Sequence, residues 1–196
     1  MIAKKIIPVV EEVFELYQKH GSNEYAGEKI SQLEHMVQAA QLAREGGYDD
    51  EIVLAAFLHD IGHICAANYI TEDMNGFGVM NHEKIGAHFL RKRGFGERIA
   101  RLVENHVSAK RYLTFKYPEY YEGLSEASKK TLEFQGGRMN YDEAMLFEQD
   151  ELFEEFIAMR RWDELAKEEN FPLQPIDHFK DLMINYLQRQ YSFNQI

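Results

Sequence analysis

The chain has 196 residues, of which 45% are hydrophobic, and this size suits a single domain over residues 1–196 with a substantial core. Its formal net charge of −11 argues against a nucleic-acid-binding protein, because such proteins need Lys and Arg to neutralise phosphates. The one cysteine, Cys65, fits a reducing compartment. We see no secretory leader and no apolar run of about 18 residues, so we expect a cytoplasmic protein that does not span a membrane.

Hydrophobic residues recur with helical spacing along nearly the whole chain, and strand patterns are weak. We therefore predict an all-α fold. The predicted helices cover residues 6–20, 25–45, 52–61, 81–93 and 96–110, a short helix capped by Ser125, a long helix 140–167 and a last helix that ends near residue 189. A glycine-bearing loop 72–79 and a Tyr- and Pro-containing connection 112–123 lie between them.

Candidate metal ligands are spread over five of these segments. The run 53–58 is apolar on all sides and predicts a buried helix, and His59 and Asp60 follow it directly. Successive candidate histidines are separated by 24, 23 and 24 residues, as in a bundle whose helices each project one ligand inward. The full set is His35, His59, Asp60, His82, His106 and Asp163.

Six imidazoles and carboxylates suffice for two metal ions, with Asp60 able to bridge them or to face one of them. A set without thiolates favours iron, manganese or another divalent ion. We assign the other histidines that lie away from this set, His20, His88 and His178, to the surface or to hydrogen-bonded core positions.

The ordered motifs of the chain resemble those of the HD-domain superfamily, and in particular the phosphonate-cleaving oxygenases of the PhnZ type in its mixed-valent di-iron branch. The cyclic-dinucleotide phosphodiesterases and the inositol oxygenase carry Lys three residues after the Asp of the His-Asp pair, whereas this chain has His63. The strings that carry the resemblance are Tyr25-Ala26-Gly27-Glu28, Gln32-Leu33-Glu34-His35, Leu58-His59-Asp60-Ile61-Gly62-His63, His82-Glu83-Lys84, the runs 106–113 and 128–137, and Arg160-Arg161-Trp162-Asp163.

The resemblance implies an HD-type helical bundle with a dinuclear Fe(II)/Fe(III) centre in its core, in which Asp60 bridges the ions. It implies that one iron is ligated by His35 and Asp163, and the other by His59, His82 and His106. Tyr25 would be a displaceable iron ligand and Glu28 would bind the amine of the substrate. The implied substrate-binding set is Tyr25, Glu28, His63, Lys110, Ser128, Thr131, Gln135 and Arg160, and the catalytic set is Tyr25, Asp60 and His63.

Helical spacing agrees with parts of this assignment. Lys110 lies four residues after His106, and Arg160 lies three before Asp163, so each shares a face with a ligand. Tyr25 and Glu28 can share a face of the predicted helix 25–45 with His35, and Ser128, Thr131 and Gln135 form a polar stripe. His63 follows His59 by four residues, with Gly62 as a potential helix breaker between them. Solvated or ordinary core positions remain the alternative for these flanking side chains.

The function implied is O₂-dependent cleavage of the C–P bond of a 1-hydroxy-2-aminoethylphosphonate, giving glycine and inorganic phosphate. A separate enzyme that hydroxylates C1 would supply this substrate. The N-trimethylated analogue, which would give glycine betaine, is one alternative, because aromatic side chains are available to a quaternary ammonium. A dinuclear HD phosphohydrolase acting on a phosphate ester is the other alternative.

Overall fold

The structure is a computed structural model that describes residues 3–25, 27–66 and 71–193. Within these residues there is no strand, and only two isolated β-bridges occur, Glu24 with Ser31 and Asp73 with Val79. The all-α prediction is therefore confirmed. Ala26, which belongs to one of the motifs above, lies outside the described residues, and the assignment of residues 1–196 to a single domain stays a prediction.

The described residues form eleven helices. None of the described helices has the combined length and apolarity needed to cross a bilayer. In chain order they are α1 (Ala3–His20), α2 (Gln32–Glu45), α3 (Asp50–Leu58), α4 (Ile61–Cys65), α5 (His82–Lys92), α6 (Glu97–Lys116), α7 (Pro118–Gly123), α8 (Glu126–Phe134), α9 (Tyr141–Phe147), α10 (Phe153–Leu165) and α11 (Ile176–Phe193).

Helix α3 lies in the core, where it contacts α2, α6, α10 and α11. Every side chain from Ile52 to Leu58 is at most 3% exposed, as the apolar run predicted. The Phe57 ring stacks on Phe179 with centroids 4.5 Å apart and on Tyr17 at 4.7 Å, and the Tyr17 hydroxyl donates to the Phe57 carbonyl at 2.7 Å. This packing fixes the end of α3, and with it the two residues that follow.

The predicted start of the second helix at residue 25 is wrong, because α2 begins at Gln32. The Ser31 hydroxyl accepts the N–H of Glu34 at 3.2 Å, and the Glu34 carboxylate accepts the N–H of Ser31 at 2.7 Å. This reciprocal capping box fixes the position at which α2 begins. Tyr25 and residues 27–31 instead belong to a loop in which Gly27 has a φ of +81°.

Two further predicted boundaries are wrong. The expected helix 140–167 is two helices, α9 and α10. The Asp150 carboxylate caps the turn between them by accepting the N–H of Leu152 at 2.9 Å, and it also binds Arg101. The segment 112–123, predicted as a connection, is mostly helical, since α6 continues to Lys116 and α7 begins with Pro118 at its first position.

The chain does not break at Gly62, contrary to the expectation from its residue type. The interruption lies two residues earlier, at His59 and Asp60, between α3 and α4. Gly62 lies inside α4, where it allows this short helix to lie directly against the start of α5. His59 and Asp60 therefore occupy the junction between two helices.

Candidate metal centre and its cationic pocket

The six predicted ligands come together in the interior, although they are spread over more than 120 positions of the chain. Each belongs to a helix or to the junction between α3 and α4, and each is at most 4% exposed. The elements that carry them are α2 for His35, the α3–α4 junction for His59 and Asp60, the first residue of α5 for His82, α6 for His106 and α10 for Asp163.

Hydrogen bonds fix the tautomer of all four imidazoles. In each ring Nδ1 lies within hydrogen-bonding distance of a backbone carbonyl oxygen, which can only accept, so Nδ1 carries the proton and Nε2 carries a lone pair. This outer hydrogen bond is typical of metal-ligating histidine. The pairs are His35 with Ala166 at 2.8 Å, His59 with Ala56 at 2.8 Å, His82 with Val79 at 3.2 Å and His106 with Val103 at 2.7 Å.

The unprotonated nitrogens converge in two pairs. His35 Nε2 lies 3.1 Å from His59 Nε2, and His82 Nε2 lies 3.0 Å from His106 Nε2. Two lone pairs at this distance repel each other when both rings are neutral. A cation bound between the nitrogens removes the repulsion, so the donor set fits metal ions.

Asp60 lies between the two histidine pairs with one oxygen facing each. Its Oδ2 is 3.6 Å from His35 Nε2 and 3.5 Å from His59 Nε2. Its Oδ1 is 3.3 Å from His82 Nε2 and 3.4 Å from His106 Nε2. This geometry is that of a carboxylate able to bridge two ions.

The geometry groups His59 with His35 and Asp163, whereas the resemblance implied that His59 shares an ion with His82 and His106; the division of the ligands between two ions stays a prediction. Asp163 Oδ1 lies 3.4 Å from His35 Nε2 and 4.0 Å from His59 Nε2, so these three residues form one group with Asp60 Oδ2. His82 and His106 converge on Asp60 Oδ1, and Asp60, His63 and His82 together form a second group close enough to hold an ion. Asp163 Oδ1 is buried and has no hydrogen-bond partner among the described residues, as expected for an oxygen that binds a cation.

The pKa values of His59 and Asp60 favour the protonation states in which these two residues can bind a metal ion. Burial lowers the pKa of His59 to about 4, against the attraction of Asp60 and Asp163. Burial also opposes ionisation of Asp60, but the imidazoles of His59, His106 and His82 hold its pKa well below the usual range. At neutral pH, His59 is therefore neutral and Asp60 ionised, as metal binding requires.

His63 plays a different part from the other four histidines. Its Nδ1 accepts the N–H of Val79 at 3.1 Å, so its proton lies on Nε2 and the ring is a donor there. The ring stacks on His82 with centroids 3.9 Å apart. Burial, with His82, lowers the pKa of His63 to about 3, so the ring is neutral. A neutral N–H donor beside the cluster suits binding of a substrate oxygen better than ligation.

A cavity opens beside the cluster, and all the flanking residues predicted from the sequence line it. We call it the substrate pocket. Its polar lining consists of Tyr25, Glu28, Gln32, Asp60, His63, His82, His106, Lys110, Ser128, Thr131, Gln135, Arg160, Asp163 and Lys167. Three of these are basic, Lys110, Arg160 and Lys167, and three are carboxylates, Glu28, Asp60 and Asp163, so the side chains balance in formal charge before any metal ion is bound.

Lys110 is 2% exposed, so the alternative that it is a solvated surface lysine is wrong. Its ammonium donates to Thr131 Oγ1 at 2.7 Å and to Gln135 Oε1 at 2.9 Å, which brings α6 and α8 together. Burial, reinforced by Arg160, lowers its pKa well below the usual range. A nearby anion favours the charged form of a buried lysine and would raise this pKa again.

Arg160 is buried at 4% exposure and holds the Asp163 side of the cluster in place. Its guanidinium binds Asp163, donates to Glu164 at 2.7 Å and donates to the Tyr120 hydroxyl at 2.9 Å. These contacts align one Asp163 oxygen with the guanidinium and leave Oδ1 for the cluster. Arg160 thus lies between the pocket and a candidate ligand.

Tyr25 and Glu28 reach the pocket from a loop and not from the helix that the sequence predicted. Two backbone hydrogen bonds close the loop. The Tyr25 N–H donates to the Ile30 carbonyl at 2.8 Å, and the Glu28 N–H donates to the Tyr25 carbonyl at 2.8 Å. The Tyr25 ring stacks on the His35 ring with centroids 3.9 Å apart. Burial and the carboxylates of Asp60 and Asp163 raise the pKa of Tyr25 well above its usual range, so the phenol is protonated. Its role as a displaceable ligand stays a prediction.

A model of the HD domain matches residues 33–146, which is more than half of the chain. The chain belongs to the HD-domain family. The matched segment contains five of the six candidate ligands of the HD-domain cluster, and Asp163 lies beyond it.

Three relatives extend the comparison. "Uncharacterized protein L432" of Acanthamoeba polyphaga mimivirus is 45% identical over 184 residues, which cover 94% of this chain and 84% of that protein. A "[1-hydroxy-2-(trimethylamino)ethyl]phosphonate dioxygenase (glycine-betaine-forming)" of Leisingera caerulea is 36% identical over 89% of this chain and 88% of its own length. A "Hydroxymethylphosphonate dioxygenase" of Gimesia maris is 40% identical over 81% of this chain and 78% of its own length.

The names of the last two relatives identify the branch. The chain lies in the oxygenase branch of the HD-domain family, and the resemblance derived from its motifs is confirmed. The two named substrates share a 1-hydroxyphosphonate and differ in what C1 carries.

Sequence reasoning missed two polar residues of this HD-domain pocket. Lys167 follows Asp163 by four residues, so the spacing rule that identified Lys110 from His106 would also have found it. Gln32 is 8% exposed, and its Oε1 has no hydrogen-bond partner among the described residues. Gln32 is the first residue of α2. Because the helix was expected to begin at residue 25, nothing in the sequence singled out this position.

Proposed function

We propose that the protein is an O₂-dependent di-iron oxygenase that cleaves the C–P bond of a small 1-hydroxyphosphonate. The observation that carries this proposal is a two-group His/Asp cluster that opens directly onto a buried lysine, Lys110, held by neutral donors and acceptors. A phosphonate dianion matches that cationic end, while its C1 hydroxyl faces the cluster. The dioxygenase names of two relatives support the same chemistry.

The substrate predicted from the sequence is 2-amino-1-hydroxyethylphosphonate, with glycine and phosphate as products. Its N-trimethylated analogue and hydroxymethylphosphonate fit the same reaction. A separate enzyme that hydroxylates C1 would supply any of the three, and a cytoplasmic location stays the expectation from the sequence.

His35, His59, Asp163 and one oxygen of Asp60 would hold one iron, and His82, His106 and the other Asp60 oxygen the second. Donors that are all imidazole or carboxylate suit iron. Bound iron would supply the redox chemistry with O₂, which no side chain of the pocket can supply. The second group would hold its iron with fewer protein ligands than the first.

The reaction balances without another reductant. A 1-hydroxyphosphonate dianion and one O₂ give one carboxylate, one hydrogen phosphate and one proton. The C–H and C–P bonds at C1 break, their electron pairs reduce O₂, and new C–O and P–O bonds form. O₂ is the only oxidant.

The protein's own residues orient the substrate and neutralise its charge. Lys110 would bind one phosphonate oxygen, with Thr131 and Gln135 rearranging from their present bonds to Lys110. Ser128 and Arg160 would complete the oxygen contacts. The His63 Nε2–H would donate to the C1 hydroxyl or to phosphonate. Donors gathered in a buried site stabilise charge that develops on the substrate more strongly than water does.

Phosphate release from iron-loaded protein, measured in air and under nitrogen, tests the proposal. The substrates are hydroxymethylphosphonate and 2-amino-1-hydroxyethylphosphonate, and p-nitrophenyl phosphate serves as the phosphate-ester comparison. We expect release from a hydroxyphosphonate in air and none under nitrogen. Equal release under nitrogen, or turnover of the ester alone, would establish a phosphohydrolase instead.

A further inference from the structure

Helix α2 carries three buried glutamines, and two of them bond to backbone through both ends of the carboxamide. Gln38 donates to the Glu168 carbonyl at 3.0 Å and accepts the Glu168 N–H at 3.1 Å. Gln41 donates to the Pro172 carbonyl at 3.1 Å and accepts the Gln174 N–H at 2.9 Å. These two carboxamides hold α2 against the segment that follows α10.

The third glutamine, Gln32, departs from this pattern. It is buried and lines the substrate pocket, and its Oε1 has no hydrogen-bond partner among the described residues. It precedes His35 by three residues, so the face of α2 that carries a candidate ligand also carries this carboxamide. A buried amide oxygen without a donor is unfavourable. Because this one borders a cavity, we expect its donor to come from a molecule that binds there.

Other acceptors of the pocket already have donors from the protein. Lys110 donates to Thr131 Oγ1 and to Gln135 Oε1, and the Nδ1 of His63 accepts a backbone N–H. The oxygen of Gln32 therefore adds an acceptor that the described residues leave unused.

The chemistry of the proposed reaction offers one common donor for this oxygen. A phosphonate dianion and O₂ have only acceptor atoms, so neither can bond to a carboxamide oxygen. Every 1-hydroxyphosphonate has an O–H at C1, and of the three candidate substrates only the 2-amino compound has a second donor. The C1 hydroxyl can accept the His63 Nε2–H and donate to Gln32 at the same time.

We propose that Gln32 is a specificity-determining residue, whose Oε1 accepts the C1 O–H and so selects hydroxylated phosphonates over their unhydroxylated counterparts. This inference rests on the proposed function and adds a contact to the same site. A site that hydrogen-bonds a substrate hydroxyl rejects the analogue that lacks it, because a buried polar atom of the protein is then left unpaired. The disfavoured compounds are those that a C1-hydroxylating enzyme would consume.

The test measures the binding of hydroxymethylphosphonate and of methylphosphonate to iron-loaded protein by calorimetry under nitrogen. Wild type is compared with Gln32→Met, which keeps an unbranched side chain and removes the acceptor. We expect wild type to bind the hydroxylated compound more tightly, and Gln32→Met to reduce this preference by about 10-fold, with methylphosphonate bound as tightly as before or more tightly. An unchanged preference in folded Gln32→Met would overturn the role of Gln32.

Gln41→Met is the matched control, because it removes a buried carboxamide from the same helix. It should lower Tm, since two hydrogen bonds to backbone are lost, and it should leave the preference unchanged. Gln32→Met should instead keep or raise the Tm of the ligand-free protein, because the oxygen that it removes is unpaired. An equal loss of preference in both variants would show a general effect of α2 packing and would overturn the assignment to Gln32.

Fluoromethylphosphonate keeps the inference testable if Gln32→Met does not fold. Fluorine is close to a hydroxyl in size and cannot donate a hydrogen bond, so wild type should bind this compound as weakly as methylphosphonate. Binding as tight as that of hydroxymethylphosphonate would overturn the inference alone. Absence of O₂-dependent phosphate release from every hydroxyphosphonate would instead overturn the proposed function.

Discussion

Replacement of Gly62 by alanine tests the link between helix packing and the His/Asp cluster. A Cβ at this position would lie 1.9 Å from the carbonyl oxygen of His82 and 2.9 Å from its Cα. Contacts below 3.0 Å are essentially never seen for a real Cβ, so α4 and α5 must separate by about 1.1 Å. The neighbour is backbone, which cannot rotate away.

The expected cost follows from that displacement. Overpacking against rigid backbone costs about 2–3 kcal/mol of unfolding free energy, or about 5–10 °C in Tm for a chain of this size. His82 is the first residue of α5, and its ring stacks on His63, so the shift also moves a candidate ligand. A misplacement of about 1 Å in a site of this kind lowers turnover by about 100-fold.

Urea unfolding, metal content and phosphate release should be measured together on Gly62→Ala. Gly123→Ala is the matched control, because its Cβ would meet nothing within 4 Å. That control should keep full activity. Its free energy of unfolding should be unchanged or higher by up to about 1 kcal/mol. If Gly62→Ala matched wild type in stability, metal content and turnover, the close approach of α4 and α5 would be refuted.

Three further predictions concern single side chains. Asp60→Ala should lose both metal ions, since a bridging carboxylate serves two; near-full metal content by elemental analysis would contradict the bridge. Lys110→Met should raise KM for a hydroxyphosphonate by about 100-fold while metal content stays intact, and Lys129→Met, which removes a lysine paired with Glu126 on the same helix, should leave KM unchanged. Cys65 should resist alkylation at about pH 8 in the folded protein and react once unfolded, because burial raises its pKa to about 12; rapid labelling of the native state would refute its burial.

The identity of the cluster could be predicted from the sequence because its signal does not depend on precise boundaries. One ligand on each of several helices, at nearly equal spacing, points inward whatever the exact helix ends. The spacing of Lys110 and Arg160 is equally independent of the exact helix ends, because each was related to a candidate ligand on its own helix. All of them lie at the cluster or in the pocket.

Features that depend on local hydrogen bonds could not be predicted with the same rules. The second helix was started too early because the capping box of Ser31 and Glu34 was not recognised, although its sequence pattern was present. The placement of His59 with His35 follows from ring directions set by backbone carbonyls, and no spacing rule contains that information. The pairing of Glu28 with Lys167 joins residues 139 positions apart and needed the structure.

The central claim is that this pocket couples O₂ reduction to C–P bond cleavage. The most direct test is the ratio of O₂ consumed to phosphate released by iron-loaded protein turning over hydroxymethylphosphonate, followed with an oxygen electrode and a phosphate assay. The account predicts one O₂ for each phosphate and no phosphate once O₂ is removed. Phosphate release without O₂ consumption would contradict it.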